Sequence, residues 1–265
     1  MSDLGSARIK EVARLNQKDA RLETGLFLLE GPQGLKELVR SPELAVEVFA
    51  TAAALERYVA EFDLLREQQV TLTEVSEKTI DRISDTRSPQ GVCAILTQFD
   101  VELGDVIATG PRLLALLDRI SDPGNAGTVL RAGDAAGADG VLFSQDSVDL
   151  YNPKLVRSTA GSLLHIPAVT SVVSVAAVSE LRESGLQVFA ASGSGRSLTE
   201  LTPAELAKPT AWVFGNEASG VSADVMQACD EVVSIPIFGS AESLNLSTAA
   251  AICLYTSAFA QRANH

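Results

Sequence analysis

Short, uninterrupted apolar runs separated by segments of helical periodicity recur along this 265-residue chain, and that alternation restricts its fold more than any other feature. In the second half RLLALLD, GVLFS, AVTSVV, LQVFAAS, TAWVFG and EVVSIPI are runs of this kind. Strands that lack polar alternation need cover on both faces, so these runs predict a mainly parallel sheet with helices on either side. Helices are expected after Asn125, around residues 153–165, over AAVSELRESG and DVMQACD, and in a long segment from Leu246. The first half alternates as well. FLLEG, LAVEVFA, VTLTEV and GVCAIL read as strands, and Ser6 to about Asp19, 34–39, 55–67 and EKTIDRI as helices. A polar, turn-rich stretch at 104–111 reads as the join. The chain is therefore α/β, with one domain over 1–105 and a second over 106–265.

Lys+Arg number 21 against 34 Asp+Glu, a formal charge of −13, which disfavours a simple basic coat for nucleic acid. With 46% hydrophobic and 21% charged residues the chain is globular rather than disordered. Cys93, Cys229 and Cys253 lie far apart, without CxxC or Cys/His spacing, and read as core residues rather than zinc ligands or a disulfide framework. The opening MSDLGSARIKEVARLNQKD is polar, with no signal-peptide core, and no apolar run approaches the ~18 residues of a membrane span. A cytoplasmic protein is expected.

Three loops each follow a predicted strand in the second half, where open α/β sheets bind ligands. In LLDRISDPGNAGTVLRAGDAAG, Asp118 ends a strand, Asp122-Pro123-Gly124 is turn chemistry, and Asn125 reads as the N-cap of a helix to about Ala136. Arg131 falls in the second turn of that helix, on the side of Gly127 and Thr128; a capped helix with one surface arginine fits the same pattern. In AWVFGNEASGVS, Gly215 and Gly220 flank Asn216 and Glu217. Glycine lets the backbone approach a ligand, and a carboxylate at a strand end is placed to orient a base or cation. This loop lacks the GK[ST] of a phosphate loop, and GSGR at 193, read as a short loop over 193–195, lacks the dinucleotide pattern. In SIPIFGSAESLNLSTAAAICLYTSAFA, Ser243, Asn245 and Ser247 gather at the start of the last helix, whose free amides can bind a carboxylate or ring nitrogens. Capping accounts for one of the three.

Together these stretches resemble the SpoU/TrmH-type RNA 2′-O-ribose methyltransferases of the SPOUT superfamily. The resemblance rests on the DPxNxGxxxR form ending at Arg131, on Gly215-Asn216-Glu217 to Gly220, and on Ile235-Pro236 through Ser243-Leu244-Asn245-Leu246-Ser247. It spans 110–262, and extends more loosely to the first hundred or so residues, which resemble the family's small ribosomal-protein-like substrate-binding domain. What the resemblance implies is a C-terminal trefoil-knot domain that holds S-adenosylmethionine, an active site spanning a homodimer, and no metal. It places cofactor contacts on the backbone of Gly215, Ile235 and Leu244, and the reaction centre around Asn125, Arg131, Glu217, Ser243 and Asn245. Arg131 would act on the ribose 2′-hydroxyl. A guanidinium stays protonated, so its part is to stabilise the developing alkoxide and grip the adjacent phosphate. Asn125 and Glu217 would orient it, while Ser243 and Asn245 contact ribose or cofactor.

An acidic protein that binds RNA needs clustered cations rather than bulk positivity. Arg8, Arg14 and Arg21 on the basic N-terminal segment, and Arg157 with Ser158, are the expected RNA-facing positions; Arg82 with Arg87 is a further cluster. A solvated amphipathic helix fits the first group equally well. His165 reads as a helix-end cation and Trp212 as core. The extra N-terminal domain points by analogy to ribosomal rather than transfer RNA. A transfer RNA ribose methyltransferase, a non-catalytic RNA-binding or ribosome assembly factor on the same fold, and a small-molecule methyltransferase remain the alternatives.

Overall fold

In the computed structural model, which describes residues 4–263, the basic N-terminal segment is two helices rather than one: α1 (Ser6–Arg14) and α2 (Lys18–Thr24). The chain turns between them because Leu15, Asn16 and Gln17 donate back to the carbonyls of Val12, Ala13 and Arg14, tightening the last turn of α1. Arg21 is only 2% exposed, and its Nη1 donates to the Leu15 carbonyl at 2.9 Å. It therefore stitches the bend between the two helices rather than facing solvent, which removes it from the expected RNA-facing row.

The order continues with β1 (Leu26–Glu30), α3 (Gly31–Leu38), β2 (Ala45–Ala50), α4 (Ala52–Arg57), α5 (Val59–Glu67), β3 (Leu72–Glu74), α6 (Glu77–Ile83) and β4 (Val92–Thr97). The single helix expected over 55–67 is split at Tyr58, which leaves helical geometry at φ −117°, ψ 41°. The four strands form one sheet in the order β1-β4-β2-β3, with β1 and β2 antiparallel to β4 and β3 parallel to β2. Ile9 and Val12 of α1 and Ile80 and Ile83 of α6 pack on Leu28, Phe49, Cys93 and Ile95 of this sheet.

Beyond β4 come α7 (Leu103–Ala108), β5 (Leu113–Asp118), α8 (Pro123–Ala136), β6 (Gly140–Ser144), α9 (Pro153–Ser158), β7 (Ala168–Val172), α10 (Ser174–Glu183), β8 (Gln187–Ser197), α11 (Pro203–Leu206), β9 (Thr210–Gly215), α12 (Ala223–Ala228), β10 (Glu231–Ser234) and α13 (Leu246–Arg262). The chain forms two compact units. One comprises the described residues up to Phe99 together with Tyr151–Leu164; the other comprises Asp100–Leu150 and the described residues from His165 onward. The division thus falls just before the turn-rich stretch taken as the join, and 151–164, with α9, groups with the first unit. The supposed join is itself mostly helix: α7 forms there because Leu103 and Val106 pack against Leu114 and Leu116.

In the second unit all six strands are parallel, in the order β10-β8-β9-β5-β6-β7. Every residue of β5 and of β9 is buried, which is why those runs show no alternation. Asp118 at the end of β5 lies opposite Gly215 at the end of β9, so the loops that follow emerge side by side. From the edge strand β10 the chain returns through 235–245 to α13, which packs on β9, β5 and α8. That return is where the resemblance places the knot. Trp212 is buried in β9 as expected, and its Nε1 donates to Ser257 Oγ of α13 at 2.9 Å.

Three local readings change. Residues 193–195 lie within the span of β8 rather than between elements, as an unpaired bulge: β8 pairs with β10 on either side of them, Ala190 with Val232 and Arg196 with Val233. The helix expected to reach 165 stops at Ser158, because Ala160 and Gly161 take positive φ of 51° and 98°. His165 therefore lies beyond that helix, directly after a short 3-10 turn at Ser162–Leu164, and its Nδ1 lies 3.0 Å from Asp134 Oδ2.

Candidate active site

The first loop of the second unit is set by Asp122, not Asn125. Pro123 occupies the first helical position of α8, where its missing N–H is harmless, and Asp122 caps the helix by accepting from Asn125 N at 2.7 Å. Asn125 sits inside the first turn, which frees its side-chain amide. The Nδ2 donates to Glu217 Oε1 at 3.0 Å, and Oδ1 accepts from Asn245 Nδ2 at 3.0 Å. One amide therefore links all three strand-end loops, across sequence separations of 92 and 120 residues.

Glu217 belongs to a turn closed by reciprocal main-chain bonds, Asn216 N to Gly220 O at 3.1 Å and Gly220 N to Asn216 O at 2.7 Å. Gly220 takes φ 69°, and a Cβ on Gly215 would collide with Val221 N and the Gly220 carbonyl, so both glycines are required by the turn itself. Asn216 Oδ1 accepts from Ala218 N and Ser219 N, and its Nδ2 reaches the Arg119 carbonyl at 2.9 Å. Glu217 Oε2 also accepts from Ser121 Oγ at 3.3 Å. Desolvation opposes the charged form of Glu217, but hydrogen bonds from Asn125 and from the main-chain N–H groups of Glu217, Ser121 and Asp122 outweigh it and hold the carboxyl below its ordinary range.

Asn245 caps α13, accepting from Ser247 N at 2.9 Å and Thr248 N at 3.3 Å, and Ser247 Oγ donates to the same oxygen at 2.6 Å. One cap thus uses two of the three polar residues noted in the sequence. Ser243 is exposed and makes no hydrogen bond among the described residues. The half-buried Ile235 and Leu244 leave their main-chain N–H and C=O groups unbonded among the described residues. Half-buried amides of this kind supply the donors and acceptors that the edge of a purine takes.

Arg131 stands apart. It is exposed, has no partner among the described residues, and lies six residues beyond Asn125, a rise of about 9 Å along α8. The orientation of Arg131 by Asn125 and Glu217 within one chain is therefore not what the structure shows: both are committed to each other and to Asn245 and Ser121. Ser121 and Asp122 were missed. Proline at the first helical position was the available signal for Asp122, while Ser121, 96 residues from Glu217, carried none.

In the first unit the expected RNA-facing cations are paired. Arg8 lies 2.7 Å from Glu47 and 3.0 Å from Glu11, Arg14 3.1 Å from Glu23, and Arg157 3.2 Å from Glu30 and 2.7 Å from Asp85. Arg82 and Arg87 are exposed and unpaired among the described residues. No group of His, Cys, Asp or Glu able to hold a metal occurs among the described residues, and no helix there is long and apolar enough to cross a membrane.

Comparison with known proteins identifies the family. Residues 112–255 match the SpoU rRNA Methylase family, and residues 6–94 match the MRM3-like substrate binding domain. The chain is 32% identical to the 23S rRNA (guanosine(2553)-2′-O)-methyltransferase RlmP of Bacillus subtilis (strain 168) over 94% of either chain. It is 31% identical to the 23S rRNA (uridine(2479)-2′-O)-methyltransferase of Streptomyces viridochromogenes, over 92% of this chain and 86% of that one. The AdoMet-bound rRNA methyltransferase from Sinorhizobium meliloti superposes with a TM-score of 0.82 at 28% identity, covering 97% of this chain and 96% of that chain.

Proposed function

Because the chain belongs to the SpoU rRNA methylase family, we propose that it transfers the methyl group of S-adenosylmethionine to a ribose 2′-hydroxyl of ribosomal RNA, in the cytoplasm and as a homodimer. The observation that carries this reading is the hydrogen-bonded series Asn245–Asn125–Glu217, which gathers three chain-distant loops at the carboxyl ends of β5 and β9 and the start of α13. The two named relatives act on guanosine and on uridine, so the family likeness fixes the ribose reaction and leaves the target base open.

Bound S-adenosylmethionine supplies an electrophilic methyl on a sulfonium, so the protein has to align a hydroxyl and handle its proton rather than form a covalent intermediate. The main-chain groups of Ile235 and Leu244, with the backbone of Gly215, would hold the cofactor, since they offer unbonded donors and acceptors beside a turn that admits no side chain at Gly215. Asn125 and Glu217 keep the loops in register, and Ser243 and Asn245 face ribose or cofactor. Arg131 would stabilise the developing alkoxide and grip the neighbouring phosphate.

The free position of Arg131 supports a site completed by a second copy, each chain lending its arginine to the other. An apolar face on α13 fits such a pairing: Phe259 is 69% exposed and Ile252 36%, seven residues apart on one side of the helix. Arg82 and Arg87, exposed and unpaired among the described residues, take the place of the buried Arg21 among the cations of the first unit suited to RNA phosphates.

The test is transfer of tritium from methyl-labelled S-adenosylmethionine into ribosomal RNA isolated from cells lacking the gene, with transfer RNA from the same cells in parallel. Label in ribose of ribosomal RNA, lost with Arg131→Ala under single-turnover conditions, is the expected result. Label in transfer RNA alone, in a small molecule, or nowhere overturns the reading.

A further inference from the structure

Asp118 is 2% exposed and stands where β5 and β9 end together, opposite Gly215. Its Oδ1 accepts from Ser174 Oγ at 2.8 Å, and Ser174 opens α10. Its Oδ2 accepts from Ser222 N at 3.1 Å and Ser222 Oγ at 3.2 Å, and Arg119 Nε lies 3.3 Å away. A buried carboxylate is costly unless its lone pairs are satisfied. Here the donors come from the residue after β5, from the start of α10, and from the residue that precedes α12.

The Ser222 contact matters for geometry. The turn that presents Glu217 is closed on itself between Asn216 and Gly220, which fixes its shape but not its position over the sheet. Its position depends on bonds leaving the turn: Asn216 Nδ2 to the Arg119 carbonyl at one end, and Arg119 Nη2 to the Gly220 carbonyl at 3.4 Å near the other. Two residues beyond Gly220, Ser222 is tied by both its N–H and its hydroxyl to Asp118. Arg119, which makes both of the other bonds, takes a left-handed φ of 58° and contacts the same carboxylate. Apart from the bonds of Glu217 to Asn125, Ser121 and Asp122 and of Asn216 to Ser121, the hydrogen bonds that anchor the turn among the described residues lead back to Asp118 or its neighbour Arg119.

We infer that Asp118 is a positioning residue of the methyl-transfer site. It meets neither cofactor nor ribose, and it sets the height at which the turn delivers Glu217 to Asn125. This inference rests on the methyltransferase reading above. An aspartate suits the task because one oxygen takes two donors from Ser222 while the other takes a hydroxyl. Asparagine can imitate the arrangement by turning its amide toward Ser174, whose hydroxyl rotates to accept. Alanine cannot.

The experiment is a double-mutant cycle on the full-length enzyme, with single-turnover methyl transfer at saturating S-adenosylmethionine as the readout. The variants are Asp118→Ala, Asp118→Asn, Glu217→Gln and the double Asp118→Ala/Glu217→Gln. Asp118→Ala is expected to slow transfer about tenfold to a hundredfold, and the double variant to be no more than about threefold slower than the worse single one, because both remove the same delivered carboxylate. Asp118→Asn is expected to recover most of the rate. Losses that multiply in the double variant, or an Asp118→Ala enzyme that melts earlier but transfers at the wild-type rate, overturn the inference. Val178→Ala in the core of α10 gives a comparison in which stability falls and the rate does not. If Asp118→Ala does not fold, Ser222→Ala enters the same cycle; a small loss that vanishes in the Glu217→Gln background supports the inference, and an additive one overturns it. A wild-type enzyme that transfers no methyl group to RNA defeats the reading beneath it, whereas an additive cycle in an active enzyme defeats this inference alone.

Discussion

Replacing Asn125 by aspartate tests the link between α8 and the Glu217 turn by changing one group. The side chain keeps its outline and its acceptor for Asn245, but the amide that donates to Glu217 at 3.0 Å becomes a second carboxylate. A hydrogen bond to a charged group contributes about 1.5–3 kcal/mol, and the exposure of Glu217 places this one at the low end, about 1.5 kcal/mol. Two like charges about 4 Å apart add between roughly 1 kcal/mol in water and 4 kcal/mol near a protein surface. With the low end of each, Asn125→Asp loses about 2.5 kcal/mol near neutral pH, roughly 70-fold in single-turnover rate, whereas Asn125→Ala loses the bond to Glu217 and also the acceptor for Asn245, an exposed neutral bond of about 0.5 kcal/mol, so about 2 kcal/mol in all, roughly 30-fold. The pH dependence separates the two. In the native site Glu217 is held below its ordinary range, so its contribution is present above the unfolded value and is lost only as pH falls through the depressed folded one. With a carboxylate at 125 the pair must share a proton, its first proton affinity rises, and acidification toward about pH 5 relieves the repulsion. The Asn125→Asp rate should therefore climb toward that of Asn125→Ala as pH drops from about 8 to 5. A rate ratio between the two variants that stays constant over this range, or an aspartate variant faster than the alanine one at pH 8, would refute the reasoning.

Two further outcomes are expected. If each active site takes Arg131 from the second copy, Arg131→Ala and Glu217→Gln chains, each slowed on its own, mixed in equal amounts and allowed to exchange should rise to about a quarter of wild-type methyl transfer; a mixture no faster than its two components, with exchange demonstrated by mass, would place the arginine in its own chain's site. Ser257→Ala leaves the buried Trp212 N–H without its 2.9 Å partner and should lower stability by about 1–3 kcal/mol in urea unfolding. A loss below about 0.5 kcal/mol would mean that the indole had found another acceptor.

Much of the second unit was legible because its strands are buried on both faces and read as unbroken apolar runs. The three loops were legible because glycine, proline and polar residues cluster at strand ends. What the sequence concealed depended on tertiary partners. Residues 103–108 look like a linker, with glycine, aspartate and threonine close by, and become helical because Leu103 and Val106 find the sheet. The GSGR stretch has weak strand character, and only its Arg196 is paired, with Val233 of β10 at the sheet edge. Arg21 looks like one cation in a basic row, and only the bend at Leu15 turns it inward. Of the two readings of Asn125, as helix cap and as part of the reaction centre, the first does not hold. Asn125 was expected to cap α8, yet Asp122 does so, and that substitution of roles is what releases the Asn125 amide to join Glu217 to Asn245. Carboxylates such as Glu30 and Glu47, which neutralise Arg157 and Arg8, lie far from their partners in the chain, so no local pattern could have revealed them.

The divided first unit has a bearing on how the protein is made. Its sheet is finished by residue 97, but α9 packs on β1, the Tyr151 ring lies 4.6 Å from that of Phe27, and the Phe99 N–H donates to the Tyr151 hydroxyl at 2.7 Å. A ribosome must therefore extrude some fifty residues belonging elsewhere before this recognition module can close, and the nascent module waits meanwhile with one aromatic flank bare. Anyone transplanting it into another enzyme would need to carry both pieces, or rejoin them with a short splice that bypasses the intervening chain.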